Sequence, residues 1–142
     1  MARFTPSSGG YTPPARLDTS VQYEVRIDEA EFTKSARKGT EGFQVTLSIV
    51  DGPDAPDGES PIGRTVRDTL WLPNPSMKDG GDYAQRLIDR FFAAFGLPSD
   101  GVEEPADAVG AEGKVTFRYE EDAAGDPILR VNKYVVPKGE AL

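Results

Sequence analysis

The spacing of apolar residues changes period twice along this chain, and that succession limits the folds it can reach. Val21, Tyr23, Val25 and Ile27 alternate with Gln22, Glu24, Arg26 and Asp28, the two-residue period of a half-buried strand. After a polar loop, Thr33 to Thr40, Phe43, Val45, Leu47 and Ile49 alternate with Gln44, Thr46 and Ser48, a second strand. Residues 51–63 hold three prolines and three glycines and read as an irregular connection. A third strand is predicted over Arg64 to Leu72, stopped by Pro73 and Pro75, which cannot donate to a ladder. At residue 82 the period becomes helical: Tyr83, Leu87, Ile88, Phe91, Phe92 and Phe95 form one stripe. Asp82 suits an N-cap, and Gly96 and Pro98 stand where the helix should end. Residues 99–113 are acidic and irregular, with room for a helical turn at Pro105 to Val109. The two-residue period then returns over Lys114 to Glu120, with Val115, Phe117 and Tyr119 on one face. Ala123 to Pro127 reads as a turn, and Ile128 to Val136 is a last strand whose apolar residues fall on both parities.

The order β-β-β-α-β-β is that of a mainly β, five-stranded OB-fold-like barrel with one amphipathic helix between strands 3 and 4. A small β-sandwich, or an open sheet with one covering helix, has the same periodicity. At 142 residues the chain has the length of one domain with its own core. We place that domain at 19–137, between a Gly/Pro-rich arm (1–18) and a short tail (138–142). The arm is either disordered or packed through Phe4 and Tyr11. It lacks the apolar stretch of a signal peptide, and no run is long enough for a membrane span. A soluble protein of the cytoplasm is expected.

Histidine and cysteine are both absent. That removes thiolate nucleophiles, Cys/His zinc sites and every triad that needs an imidazole base. Ser35-Ala36-Arg37-Lys38 has the spacing of a serine acyl-enzyme motif but sits in a polar loop without the partner motifs. Asp51, Asp54, Asp57 and Glu59 lack the ligand spacing of a calcium loop. There is no phosphate-cradling P-loop. The expectation is a binding protein, not an enzyme, with no cofactor and no metal.

The formal net charge is -8, but it is unevenly spread. Residues 51–63 carry four acids and no base, and residues 99–126 carry nine acids against Lys114 and Arg118. The rest of the chain holds 14 basic and 11 acidic side chains. With the apolar parity of strands two and three turned inward, Arg67 and Trp71 face outward, as do Arg26 and Arg118. Lys34, Arg37 and Lys38 cluster in the first loop. Cations beside an exposed ring suit a single nucleic-acid strand, because the cations attract phosphate and the ring stacks on a base. A core Trp71 and a merely solvated basic loop would explain the same pattern.

Several segments, taken in order, resemble phage-encoded single-stranded-DNA-binding proteins. They are Tyr23-x-Val25-x-Ile27, Lys34 to Gly39, and Phe43-x-Val45-x-Leu47-x-Ile49-Val50-Asp51-Gly52. Gly63-Arg64 opens a strand ending at Leu72, and Ala94-Phe95-Gly96-Leu97 closes the helix. Val109-Gly110, Gly113-Lys114-Val115 and Arg130-Val131-Asn132-Lys133-Tyr134 complete the series, which covers about residues 20–137. The resemblance implies an OB fold, no catalysis, and binding of single-stranded DNA in phage replication or recombination. It departs from the family in an acidic turn at Glu120 to Asp126 and in a tail, Lys138 to Leu142, that is not a long acidic one. The expected partners are single-stranded DNA, further copies of the chain, and phage replication or recombination proteins. The expected contacts are Arg26, Lys34, Arg37, Lys38, Arg67, Trp71 and Arg118. The rival expectation is an OB module that binds protein and makes no direct DNA contact.

Overall fold

The computed structural model describes residues 3–5 and 15–137. Its elements are β1 (Tyr23–Lys34), β2 (Glu41–Asp51), β3 (Thr65–Trp71), α1 (Asp82–Phe95), a 3-10 turn (Pro105–Ala108), β4 (Glu112–Glu121) and β5 (Pro127–Val135). The protein is therefore mainly β, with one α-helix between β3 and β4, as the periods require. All strand pairs are antiparallel, in the order β3-β2-β1-β4-β5. That order leaves β3 and β5 as the two edges. They face each other without a ladder, and the Tyr134 hydroxyl on β5 donates a hydrogen bond to the Asp68 carboxylate on β3. We call the unladdered line between them the seam.

Three bulges re-phase the sheet, one of which leaves Val50 of β2 unpaired between the Glu24–Asp51 and Val25–Ile49 pairs. In β1 the register slips between Ile27 and Glu29, so Asp28 is the extra residue and the strand runs on to Lys34. The polar stretch read as a loop from Thr33 thus begins as strand, and Lys34 is its last residue, paired with Glu41. In β5 the slip falls opposite Thr116 and Phe117, leaving Asn132 unpaired. This explains the mixed parity of the last strand. Leu129 and Val131 face inward before the bulge, and Tyr134 faces inward after it.

The core lies between the inner face of the sheet and α1. It contains Val25, Ile27, Val45, Leu47, Val115 and Phe117 from the strands and Phe91 and Phe95 from the helix. Phe91 is the hub, with ring centroids 4.8 Å from Phe95, 5.1 Å from Tyr134 and 6.0 Å from Phe43. The helix backbone comes so close to β4 at Gly113 that a Cβ there would lie 2.7 Å from the Ala94 carbonyl oxygen. Gly96 closes α1 in the left-handed conformation, and Leu97 N–H reaches back to Phe92 O at 3.0 Å. At the other end Asp82 is the first helical residue and not the cap. Gly81 takes the cap position, and Asp79 accepts hydrogen bonds from the N–H groups of Gly81 and Tyr83. Those two donors hold the Asp79 carboxyl below its usual value.

The chain before β1 is partly built into the body. Leu17 is buried, its N–H donates to the Tyr119 hydroxyl at 2.7 Å, and Arg64 holds Ala15 O at 2.6 Å. Phe4 is fully exposed, while Tyr11 and the tail 138–142 lie outside the described residues. No helix among the described residues is long and apolar enough to cross a membrane.

Candidate nucleic-acid interface

The outer face of β1, β2 and β3 is fixed by register. Thr65, Ser48 and Arg26 form one row across it; Arg67, Thr46 and Glu29 form the next. Thr69, Gln44 and Glu31 follow, and then Trp71, Gly42 and Thr33. Arg26, Arg67 and Trp71 are thus brought onto one face, as their parity predicts. Trp71 is not a core residue. Its benzene ring rests on the backbone of Gly42, where a Cβ would lie 2.8 Å from the ring, and the residue is 38% exposed. A glycine at this position of β2 lets the indole lie against the sheet with part of its surface open to solvent.

The same rows place acids beside the expected cations. Glu29 and Glu31 share the shallow depression that holds Arg67, and Asp28 pairs with Arg26 at 3.0 Å. The sequence pattern did not reveal the two glutamates, because only the bulge at Asp28 turns them outward.

Lys34 faces the other way, along an apolar groove of about 750 Å³ lined by Phe32, Phe43, Leu72, Ile88 and Phe92. Arg37 and Lys38 are exposed in the turn between β1 and β2, where Gly39 N–H donates to Ser35 O at 2.9 Å. The expected clamp of three cations is therefore divided between the hairpin tip and the groove.

Arg118 faces outward on β4, but its guanidinium is engaged. It donates to Val131 O on the free edge of β5 and to Glu120 at 2.6 Å. That hydrogen bond holds the Glu120 carboxyl below its usual value, and Arg130 lies 3.5 Å from the same carboxylate. Arg90 of α1 donates to Tyr134 O at 3.1 Å, again on the edge of β5. Two arginines thus occupy edge carbonyls that would otherwise be open to a further strand.

Between β3, β5 and α1 lies a cavity of about 340 Å³ lined by Thr69, Tyr83, Arg90, Arg118, Asn132 and Lys133, among others. Five of these (Thr69, Tyr83, Arg90, Asn132 and Lys133) are not among the expected contacts. Asp68 also borders the cavity but is turned toward Tyr134. Burial raises its carboxyl above the usual value, against the hydrogen bond from Tyr134 and the nearby Arg118 and Arg130. Burial raises the Tyr134 hydroxyl well above its ordinary value, and the Asp68 charge adds to this. Thr69 lies on the outer face next to Trp71 and also lines the cavity, so the two regions adjoin.

Compared with known proteins, the chain matches no family model, and no curated protein matches it.

Proposed function

We propose that this protein binds single-stranded DNA without strong sequence preference, as an OB-fold-like barrel of the phage-encoded type acting in replication or recombination. The observation that carries the reading is Trp71 laid on Gly42 with its surface partly open, beside Arg67 on the same face. A ring backed by the sheet and open to solvent is a ready platform for a base, and stacking suits every base alike. The topology supports an OB-like barrel: β1 pairs with both β2 and β4, the helix follows β3, and side chains join β3 to β5. One small module offers few phosphate contacts, so several copies acting together suit the function.

Trp71 is the only tryptophan, and its fluorescence reads the interaction directly. Titration with oligo-dT at low salt should quench it, and the apparent affinity should fall as salt rises. Replacing Arg67, or the set Lys34, Arg37 and Lys38, should weaken binding to all sequences alike. An unchanged Trp71 signal and no binding at low salt would overturn the reading. The protein-binding alternative would then take its place. It is favoured by the apolar groove, where Phe32 is 60% exposed beside Leu72. A replication or recombination protein offering an apolar segment would be the partner there.

A further inference from the structure

The cavity at the seam holds more than protection of a strand edge requires. Arg90 and Arg118 cover the carbonyls of Tyr134 and Val131, and that alone would account for both. Lys133 and Tyr83 have no such task. Lys133 is turned outward by the bulge at Asn132 and has no ion pair among the described residues. Tyr83 stands in the first turn of α1 with 60% of its surface exposed, although it begins the apolar stripe of the helix. The arginines also keep unused capacity. A guanidinium carries five N–H donors, and the described hydrogen bonds use two on Arg118 and one on Arg90. Three cations therefore meet around one small cavity whose only acid, Asp68, is engaged by Tyr134.

Resting on the DNA-binding reading above, we infer that the seam is a second contact point on the same strand, taking one nucleotide. Its phosphate is held by Lys133, Arg90 and Arg118, and its base lies against Tyr83. The cavity is at the small end of the range for ligand sites, which suits a single nucleotide unit. Thr69 joins it to the Trp71 platform, so a strand leaving Trp71 toward β5 enters the seam without crossing Glu29 or Glu31.

The test uses the full chain, with labelled dT oligonucleotides followed by anisotropy and Trp71 fluorescence read in parallel. Tyr83→Ala should weaken binding about tenfold. Lys133→Gln should lower the slope of log affinity against log salt by about 0.7, the share of one phosphate on a single strand. In both variants Trp71 quenching at saturation should equal that of the unaltered protein, because the first platform is untouched. Both side chains are exposed, and unchanged thermal unfolding will show that the fold is kept. If the unaltered protein binds DNA and both variants match it in affinity and slope, the seam inference is wrong and the DNA reading stands. If the unaltered protein binds no DNA at low salt, both fall together.

Discussion

Cations gather in two regions of the outer surface, and the regions differ in what surrounds them. On β1 to β3, Arg26 and Arg67 share their face with Asp28, Glu29 and Glu31. Around the seam, Arg90, Arg118, Arg130 and Lys133 meet one outward acid, Glu120, while Asp68 is turned toward Tyr134. The same device, a one-residue bulge, produces both outcomes. Were Asp28 kept in strict alternation with no bulge, Ala30 and Phe32 would face outward and the two glutamates inward. Were Asn132 kept in strict alternation with no bulge, Lys133 would point to the core and Tyr134 to solvent. A single bulge thus decides the sign of charge on a face, because every side chain beyond it lies opposite to where strict alternation would put it. The first region supplies a stacking platform with its phosphate attraction partly cancelled. The second supplies the attraction.

The largest effect should come from breaking the seam. Tyr134→Phe removes the donor that satisfies the buried Asp68 carboxylate, and an orphaned buried polar group costs about 1–3 kcal/mol. We expect a loss of about 2 kcal/mol in urea unfolding at pH 7, with a smaller loss in acid once Asp68 has taken up a proton. Asp68→Asn tests the same pair from the other side, since an amide oxygen can still accept from Tyr134. The folded-state value of Asp68 is raised above its ordinary 3.8, so between those two values the folded chain holds the proton more firmly than the unfolded chain. The contribution of Asp68 to stability therefore falls as pH rises through that window and is level above it. The Asn variant should gain on the natural protein across the same window. A gain in the opposite direction would mean that Asp68 is stabilised as a carboxylate by Arg118 and Arg130, against the cost of burial.

The next largest effect concerns the platform. A side chain at Gly42 would collide with the Trp71 ring, whose nearest atom lies 2.8 Å from the added Cβ. Gly42→Val should displace the indole and lower oligo-dT affinity about tenfold, the worth of one stacked base. Overpacking at the surface of the sheet should cost about 1 kcal/mol of stability. Unchanged affinity with the quenching lost would show that Trp71 is not the platform and would leave the seam as the stronger candidate.

How far these regions could be read from sequence depends on periodicity. The helix was legible because Leu87 to Phe95 keep one stripe and Gly96 ends it. Its cap was not, because the donors are satisfied by Asp79, two residues before the cap position. The outward placing of Arg67, Trp71, Arg26 and Arg118 was legible because β3 has no bulge and the other two lie before or away from one. Glu29, Glu31 and Lys133 were hidden, since a two-residue period carries no mark of where it slips. Tyr83 was misleading in another way: it fits the stripe, yet it is exposed at the rim of the seam cavity and not packed in the core. The seam itself joins residues 68 and 134, and nothing local in the sequence links them.

The smallest effect tests whether the acids of the first region hold back its cations. Glu29→Gln with Glu31→Gln removes two charges from the face of Arg67 without changing shape, and both side chains are exposed. Exposed charges at this spacing act through water, so the change should be modest, about threefold tighter oligo-dT binding at low salt. It should shrink toward nothing near 0.15 M, where screening acts over roughly 8 Å. The same double change should leave the effect of Lys133→Gln intact, because distant sites add. Tighter binding that persists at high salt would instead mean that the glutamates touch the strand directly. The first region would then be as much a phosphate site as the seam, and the contrast between the two would lie in its acids alone.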